Sequence, residues 1–154
     1  MHLRQTNIKD KFKLKSIYFD SINSIEGGIY SPEQKFAWSS QAWENKEFDR
    51  NFIKGNGWVI EINSKLEAFA IRYPSNRLSL LYCKSNSKGK GLGTRLLKKI
   101  EEDAKKNNID TIYTEASLMS YRLLLKNEWK IIHKEKFFIK DTIFYRYKMY
   151  KDLY

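Results

Sequence analysis

The chain has 154 residues, which is the size of one ordinary domain with a single hydrophobic core. Because 42% of the residues are hydrophobic and 15% are aromatic, the composition excludes a disordered chain. No apolar run approaches the roughly 20 residues of a membrane span, and the N-terminus lacks the apolar core of a signal peptide. We therefore expect one cytoplasmic domain, residues 1–154, and the single cysteine excludes an internal disulfide framework.

The net charge of +11 lies mostly in the second half of the chain. Residues 1–75 hold 11 Lys and Arg against 9 Asp and Glu, whereas residues 76–154 hold 18 against 9. A basic excess is typical of nucleic-acid-binding proteins, and it suits a polyanionic small ligand equally well. His2 and His133 have no partners at metal-ligand spacing, so no metal site is predicted.

The first half of the chain predicts a strand, two helices and a hairpin. The segment HLRQTNI alternates as a strand, with Ile8 as one of its apolar positions. Apolar residues at helical spacing predict a first helix over about residues 10–23. In SPEQ, Ser31 is an N-cap followed by Pro, so a second helix begins there and ends near Trp43. Two strands joined at residues 63–65 then form a hairpin.

The second half of the chain alternates strands and helices. NRLSLLYCK is a strand, TRLLKKIEEDAKKNN an amphipathic helix, IDTIYTEA a strand and SLMSYRLLLKN a helix. Two final strands turn near Lys140 and Asp141. Together the elements predict an α+β fold, in which a mixed, mostly antiparallel sheet of seven strands carries about four helices on its two faces.

Three glycines alternate in SNSKGKGLGTRLLKKI, between a strand and the amphipathic helix. The spacing is neither that of a P-loop nor that of a dinucleotide fingerprint, so neither a nucleoside triphosphate nor a dinucleotide is indicated as the ligand. Lys88 to Gly93 fits a third pattern, in which Arg or Gln is followed after two residues by Gly-x-Gly or Gly-x-Ala, with Lys88 in place of the usual Arg or Gln. Because glycines let backbone N–H groups approach an anion and a helix N-terminus attracts it, the loop is predicted to bind phosphate.

The stretch LSLLYCKSNSKGKGLGTRLLKKIEEDA resembles the acetyl-CoA-binding core of the GNAT superfamily, the acetyl-CoA-dependent N-acetyltransferases. The resemblance covers essentially the whole chain, and the YSPEQ...W element resembles one bacterial branch of the family. It implies a sheet splayed between strands 4 and 5, and acetyl-CoA as co-substrate without a metal. The implied reaction transfers an acetyl group to a primary amine of a small molecule or peptide, by direct attack in a ternary complex.

The resemblance also implies which residues bind acetyl-CoA. Strand 4 would pair with pantetheine through its backbone and stabilise an oxyanion with an amide, and the loop would hold the pyrophosphate. Ser117 stands where the family often has an Asn that contacts pantetheine, and Cys83 is interpreted as a core residue rather than a nucleophile. The expected cofactor-binding residues are Leu81, Tyr82, Cys83, Lys88, Gly89, Lys90, Gly91, Leu92, Gly93, Thr94 and Ser117.

The family pattern Tyr-x-x-x-Gly-Phe is not kept in this sequence. Leu124 stands at the position of the Tyr that protonates the departing thiolate, and Glu128 and Trp129 stand at the Gly and Phe positions. Tyr121, one helical turn earlier, is a candidate substitute, with a packing role or protonation by water as the alternatives. Glu115, at the end of strand 5, is the first candidate for the general base, with a structural role as the alternative.

The amine acceptor is expected between the first two helices, the last two strands and the splay. Residues 26–49 hold five acidic residues against two lysines, and we hypothesise that this acidic stretch attracts a cationic amine such as an aminoglycoside, a polyamine or a peptide N-terminus. Glu26 and Tyr30 are the predicted substrate-binding residues, and Glu26 is also the second candidate base.

Two other classes of function stay open. The substitutions at Leu124 and Glu128 favour a non-catalytic acyl-CoA-binding regulatory module. The charge favours a basic nucleic-acid-binding protein, which the glycine loop makes the weaker alternative. No membrane partner is expected, and a homodimer is an open alternative to a monomer.

Overall fold

The computed structural model describes residues 1–154 and contains seven strands and six α-helices. The strands are β1 (His2–Gln5), β2 (Asn56–Ile62), β3 (Lys65–Arg72), β4 (Leu78–Cys83), β5 (Thr111–Ala116), β6 (Lys130–Ile139) and β7 (Thr142–Asp152). The helices are α1 (Lys11–Asn23), α2 (Pro32–Ser39), α3 (Gln41–Glu44), α4 (Glu47–Lys54), α5 (Leu92–Lys106) and α6 (Tyr121–Lys126). The predicted α+β fold with seven strands is confirmed.

The strands form two antiparallel sheets that part between β4 and β5. The first sheet has the order β1-β2-β3-β4 and the second the order β5-β7-β6. A single parallel bridge between Arg77 and Tyr113 joins them, and the Thr114 hydroxyl donates to the Leu78 carbonyl at 2.7 Å. Past these contacts β4 and β5 do not pair, so the expected splay between strands 4 and 5 is present.

Helices cover the two faces of the sheets. On one face α5 buries its apolar stripe, which includes Leu96, Leu97 and Ile100, against β2, β3 and β4. On the other face α1, α3 and α4 pack against β2 and β3, with Leu14 and Ile17 buried against the sheet. The parting of β4 from β5 therefore lies between two helical layers.

The second helix begins as predicted and ends earlier. Ser31 Oγ accepts from the Gln34 amide at 3.1 Å while Gln34 Oε1 accepts from the Ser31 amide at 2.8 Å, which is a capping box. The Ser40 hydroxyl donates to the Phe36 carbonyl at 2.7 Å, and a serine that bonds back in this way destabilises a helix slightly and often bends it. The predicted helix to Trp43 is consequently divided into α2 and α3.

The first strand is shorter than the sequence pattern indicates. It ends at Gln5, and Ile8 is 71% exposed instead of facing the core. Asn7 caps a short 3-10 turn at this point, and the Asp10 carboxylate accepts from the Asn7 amide at 2.8 Å. Local capping therefore ends the strand before Ile8. No helix has both the length and the apolar character needed to span a membrane.

Candidate active site

β4 is the last strand of the first sheet, and its edge toward β5 is unpaired over most of its length. Its residues from Ser79 to Cys83 are only half-buried, although β3 beside it is buried along nearly its whole length. The Lys84 amide donates to the Glu67 carbonyl at 2.8 Å, which fixes the amides that face β3. Because alternate amides point to opposite edges, those of Leu81 and Cys83 point toward the splay. An extended ligand could pair with this edge.

Tyr82 lies between these two residues, and its backbone faces β3, with which it is paired at Phe69. Of the three residues predicted to contact pantetheine from strand 4, Leu81 and Cys83 therefore have the free amides. The contact itself stays a prediction. The Tyr82 side chain lies on the face of the sheet that α1 covers, where its ring contacts that of Tyr18. Burial raises the pKa of the Tyr82 hydroxyl.

The glycine loop presents a row of free amides. Gly89 and Gly91 have φ values of 77° and 78°, in the left-handed region that favours glycine, and a Cβ at either would meet nothing within 4 Å. No protein atom accepts a hydrogen bond from the backbone N–H groups of residues 89–94, which run into the N-terminus of α5. Free amides and a helix N-terminus together suit a phosphate or pyrophosphate group.

The same loop is fastened to the C-terminal end of α1. The Asp20 carboxylate accepts from the Ser85 amide at 2.7 Å and from its hydroxyl at 3.2 Å. Lys88 Nζ donates to the Ser21 carbonyl at 3.2 Å and to Ser24 Oγ at 3.0 Å. Lys88 is one of the predicted cofactor-binding residues, and in the structure its ammonium stabilises the end of a helix instead of standing free.

A cavity of about 390 Å³ lies at the splay, on the side of α1 to α4. Nine aromatic residues line it, and seven of them form an unbroken series with successive ring centroids 4.8–6.4 Å apart. We call this series the aromatic wall, and it consists of Phe48, Tyr18, Tyr82, Trp38, Tyr30, Phe144 and Phe137. Most of these rings meet edge to face, which is a favourable geometry for aromatic pairs.

Tyr30 and Ser117, predicted for the acceptor and for pantetheine respectively, both line this cavity. The Tyr30 hydroxyl accepts from the Leu118 amide at 3.0 Å, and the Ser117 and Ser120 hydroxyls are 3.0 Å apart. Burial raises the pKa of Tyr30, and the hydrogen bond from Leu118 opposes this in part. Tyr30 therefore keeps its proton at neutral pH and can donate it.

The two candidate bases lie in different surroundings. Glu115 lines the cavity, where Arg77 donates to both of its carboxylate oxygens at 2.8–3.2 Å. An amine that uses this carboxylate must therefore share it with a guanidinium. Glu26 is exposed in the loop between α1 and α2 and does not line the cavity.

Tyr121 does not line the cavity, whereas Leu124 on the same helix does. The Tyr121 ring packs 4.5 Å from that of Tyr147, and its hydroxyl accepts from Arg122 Nε at 3.3 Å. This is the arrangement of a packing residue. Its predicted catalytic role stays a prediction, with Tyr30 as a competitor that the cavity favours.

The Gly and Phe positions of the family pattern keep their backbone geometry. Glu128 has a φ of 70°, the left-handed conformation for which glycine is preferred. Trp129 is 1% exposed, and its indole N–H donates to the Glu101 carboxylate at 3.2 Å. The turn between α6 and β6 is thus retained although both residues differ.

Most of the acidic stretch is neutralised by basic partners. Glu44 pairs with Lys140, Glu47 with Arg50, and Asp49 with Lys11 and Lys15. The remaining two carboxylates of residues 26–49 are exposed outside the cavity. No group of three or more His, Cys, Asp and Glu side chains lies close enough to hold a metal ion.

Several cavity residues have no signal in the sequence that marks them as functional. Arg77 and Asn51 line the cavity, together with Phe137 and Phe144 of the last hairpin. The hairpin rings have the alternation of any half-buried strand, so only the folded arrangement brings them to the splay. Arg77 and Glu115 are 38 residues apart in sequence, and no local pattern connects them.

A sheet that parts beside a strand with a free edge, followed by a loop of free amides, is the arrangement of an acetyl-CoA-dependent acyltransferase. The family model described as "Acetyltransferase (GNAT) domain" matches residues 28–145. The chain therefore belongs to the GNAT acetyltransferase family, whose acetyl donor is acetyl-CoA, and the resemblance seen in the sequence is confirmed.

Solved structures agree with the fold. A GCN5-related N-acetyltransferase from Rhodopseudomonas palustris has a TM-score of 0.92 at 20% identity, covering 98% of this chain and 94% of that chain. PaiA N-acetyltransferase from Thermoplasma acidophilum, in complex with coenzyme A, has a TM-score of 0.74 at 21% identity, with 98% of each chain covered. YncA from Salmonella typhimurium, with its cofactor acetyl-CoA, has a TM-score of 0.71 at 16% identity, covering 100% and 94%. A comparison with curated proteins finds no significant match.

Proposed function

We propose that the protein transfers the acetyl group of acetyl-CoA to a primary amine of a small molecule or peptide, by direct attack in a ternary complex. One observation carries this proposal: the free edge of β4 lies between the amides of residues 89–94 and the cavity lined by the aromatic wall. A donor held by the loop and an acceptor in the cavity would thus meet at the splay.

The fit of acetyl-CoA follows from the donors on this edge. Acetyl-CoA, when bound, supplies an acetyl group activated as a thioester. The amides of residues 89–94 would hold its pyrophosphate, and those of Leu81 and Cys83 would hold the pantetheine and the developing oxyanion. Burial raises the pKa of the Cys83 thiol, so that it stays protonated, which supports direct attack over an acylated cysteine.

Proton transfer is assigned to two residues of the cavity. Glu115 would accept a proton from the bound ammonium, with Arg77 orienting its carboxylate. Tyr30 would donate a proton to the departing thiolate, a role for which Tyr121 is the alternative. One observation favours a second function: Leu124 fills the usual tyrosine position with an apolar side chain that is 1% exposed, as a non-catalytic acyl-CoA-binding module would allow.

Two measurements test the proposal. Calorimetric titration with acetyl-CoA is expected to give saturable binding, and a chromogenic thiol assay with a panel of primary amines is expected to show thiol release. Absence of acetyl-CoA binding would overturn both functions. Binding without thiol release over aromatic, aliphatic, polycationic and peptide amines would favour the non-catalytic module.

A further inference from the structure

The charges around the cavity are paired. The two carboxylates on its wall belong to Glu47 and Glu115, and each forms an ion pair with an arginine. Arg146, also on the wall, pairs with Glu135 at 2.8 Å. A polycation would require several unpaired carboxylates in such a partly enclosed site, since each buried charge needs a partner. The cavity provides none.

The aromatic wall provides the opposite kind of surface. Its seven rings present apolar area to a ligand, and ring faces attract a single ammonium group when the site is partly desolvated. The cavity volume of about 390 Å³ is at the small end of ligand pockets. Such a site suits a compact ligand with an apolar body.

Asn51 adds one polar requirement to this surface. Asn51 is one of the residues around the cavity, and it is only 6% exposed. The Nδ2 group donates to the Glu47 carbonyl at 2.7 Å, which fixes the orientation of the amide, and Oδ1 has no hydrogen-bond partner. Because buried acceptors are rarely left unpaired, Oδ1 indicates a ligand that brings a hydrogen-bond donor.

We infer that the acceptor is a compact arylalkylamine that carries one positive charge, and that a polar N–H or O–H on its body donates to Asn51 Oδ1. The aromatic wall binds the aryl group, and the amine points toward the free edge of β4. This inference rests on the proposed function, because it names the acceptor class of the same site. It replaces the polyamine or aminoglycoside that the acidic stretch suggests.

The first test compares acceptor classes. With acetyl-CoA at saturation, kcat/KM for tyramine and 2-phenylethylamine is expected to exceed that for spermidine and kanamycin by at least about tenfold, the effect of roughly one well-made contact. Equal or higher kcat/KM for spermidine or kanamycin would overturn the inference and leave the proposed function intact.

The second test isolates Asn51. Tyramine has a phenolic O–H that 2-phenylethylamine lacks, so Asn51→Ala is expected to lower the ratio of their kcat/KM values by roughly three- to tenfold, the range of one hydrogen bond. Asn51→Asp, which keeps an acceptor oxygen, should preserve the preference for tyramine. Asn107→Ala is the matched control, since Asn107 Nδ2 also donates to a carbonyl four residues earlier but lies at the exposed end of α5.

An unchanged ratio in Asn51→Ala, or an equal loss for both amines, would overturn the role of Asn51. Calorimetry of tyramine binding, measured without turnover, tests the inferred acceptor class separately from the proposed acetyltransferase activity. Tyramine that binds in the cavity while no amine is acetylated would overturn the proposed function and support the inferred ligand class. Acetylation of other amines without tyramine binding would support the proposed function and overturn the inferred acceptor class.

Discussion

Gly91 holds the first turn of α5 in a conformation that other residues adopt only with strain. Its φ is 78°, and the left-handed region costs a residue with a Cβ about 1–2 kcal/mol. Gly91→Ala should therefore displace the free amides of the loop and weaken acetyl-CoA binding by roughly tenfold, as measured by calorimetry. Gly27→Ala is the matched control because Gly27 has a φ of 83° and open space around it but lies outside the loop. An equal loss of affinity in both variants would contradict the role given to the loop.

Two tyrosines compete for the role of proton donor. Tyr30→Phe should lower kcat by about a hundredfold, the lower end of the contribution of general acid catalysis, whereas Tyr121→Phe should leave kcat within about twofold. Thiol release at saturating concentrations of both substrates measures the two effects. Because burial raises the pKa of Tyr30 above its ordinary value of 10.0, loss of this proton should not limit activity below that pH. The opposite ranking of the two variants would assign the proton to Tyr121.

Local sequence signals predict an anion-binding loop at the glycines, but they do not predict which residues line the cavity. Alternating glycines before an amphipathic helix indicate close approach to an anion, so a donor site at this loop is predicted from local sequence and stays a prediction. Arg77 and Glu115 meet across the splay, and Lys88 turns toward α1, which spacing alone does not indicate. Contacts between distant residues decide which charged side chains lack an ion-pair partner. The sequence of the acidic stretch therefore does not reveal that most of its carboxylates are paired.

At the scale of elements, the turn between α6 and β6 contains backbone strain at Glu128. Glu128 has a φ of 70°, so Glu128→Gly should remove strain and raise the free energy of unfolding by about 1 kcal/mol. For a chain of this size, that gain corresponds to an increase in Tm of about 2–4 °C, measurable by calorimetry. A lower Tm for Glu128→Gly would show that the glutamate side chain stabilises the turn more than its backbone strains it.

Element positions followed from the sequence more reliably than element ends. The strands and hairpins have clear periodicity, and α5 begins at Leu92, within the predicted glycine-to-helix junction, so that Gly93 lies in its first turn. The divided second helix and the short first strand depend on side chains that bond to their own backbone, at Ser40 and Asn7. Such bonds compete with regular structure over one or two residues and are invisible to a periodic pattern.

For the whole molecule, the charge predicts a dependence on salt. The net charge is +11 and the excess lies in the half that contains the loop, whereas coenzyme A carries several phosphate charges. The KM for acetyl-CoA should therefore rise several-fold between low salt and 0.5 M NaCl, because salt screens attraction between exposed charges. Acetyl-pantetheine, which lacks the phosphates, is the matched control and should show no such rise. A similar rise for both donors would contradict an electrostatic origin.

One helix, α1, connects the glycine loop with the aromatic wall. The C-terminal end of α1 holds the glycine loop through Asp20 and accepts a hydrogen bond from Lys88, and the same helix carries Tyr18 of the aromatic wall. We therefore expect ordering of the loop by a bound donor to affect the aromatic wall as well. Linkage then requires reciprocity: the factor by which acetyl-CoA tightens amine binding equals the factor by which the amine tightens acetyl-CoA binding. We expect cooperativity between donor and acceptor to depend on α1, and titrating each ligand in the presence of the other would measure it.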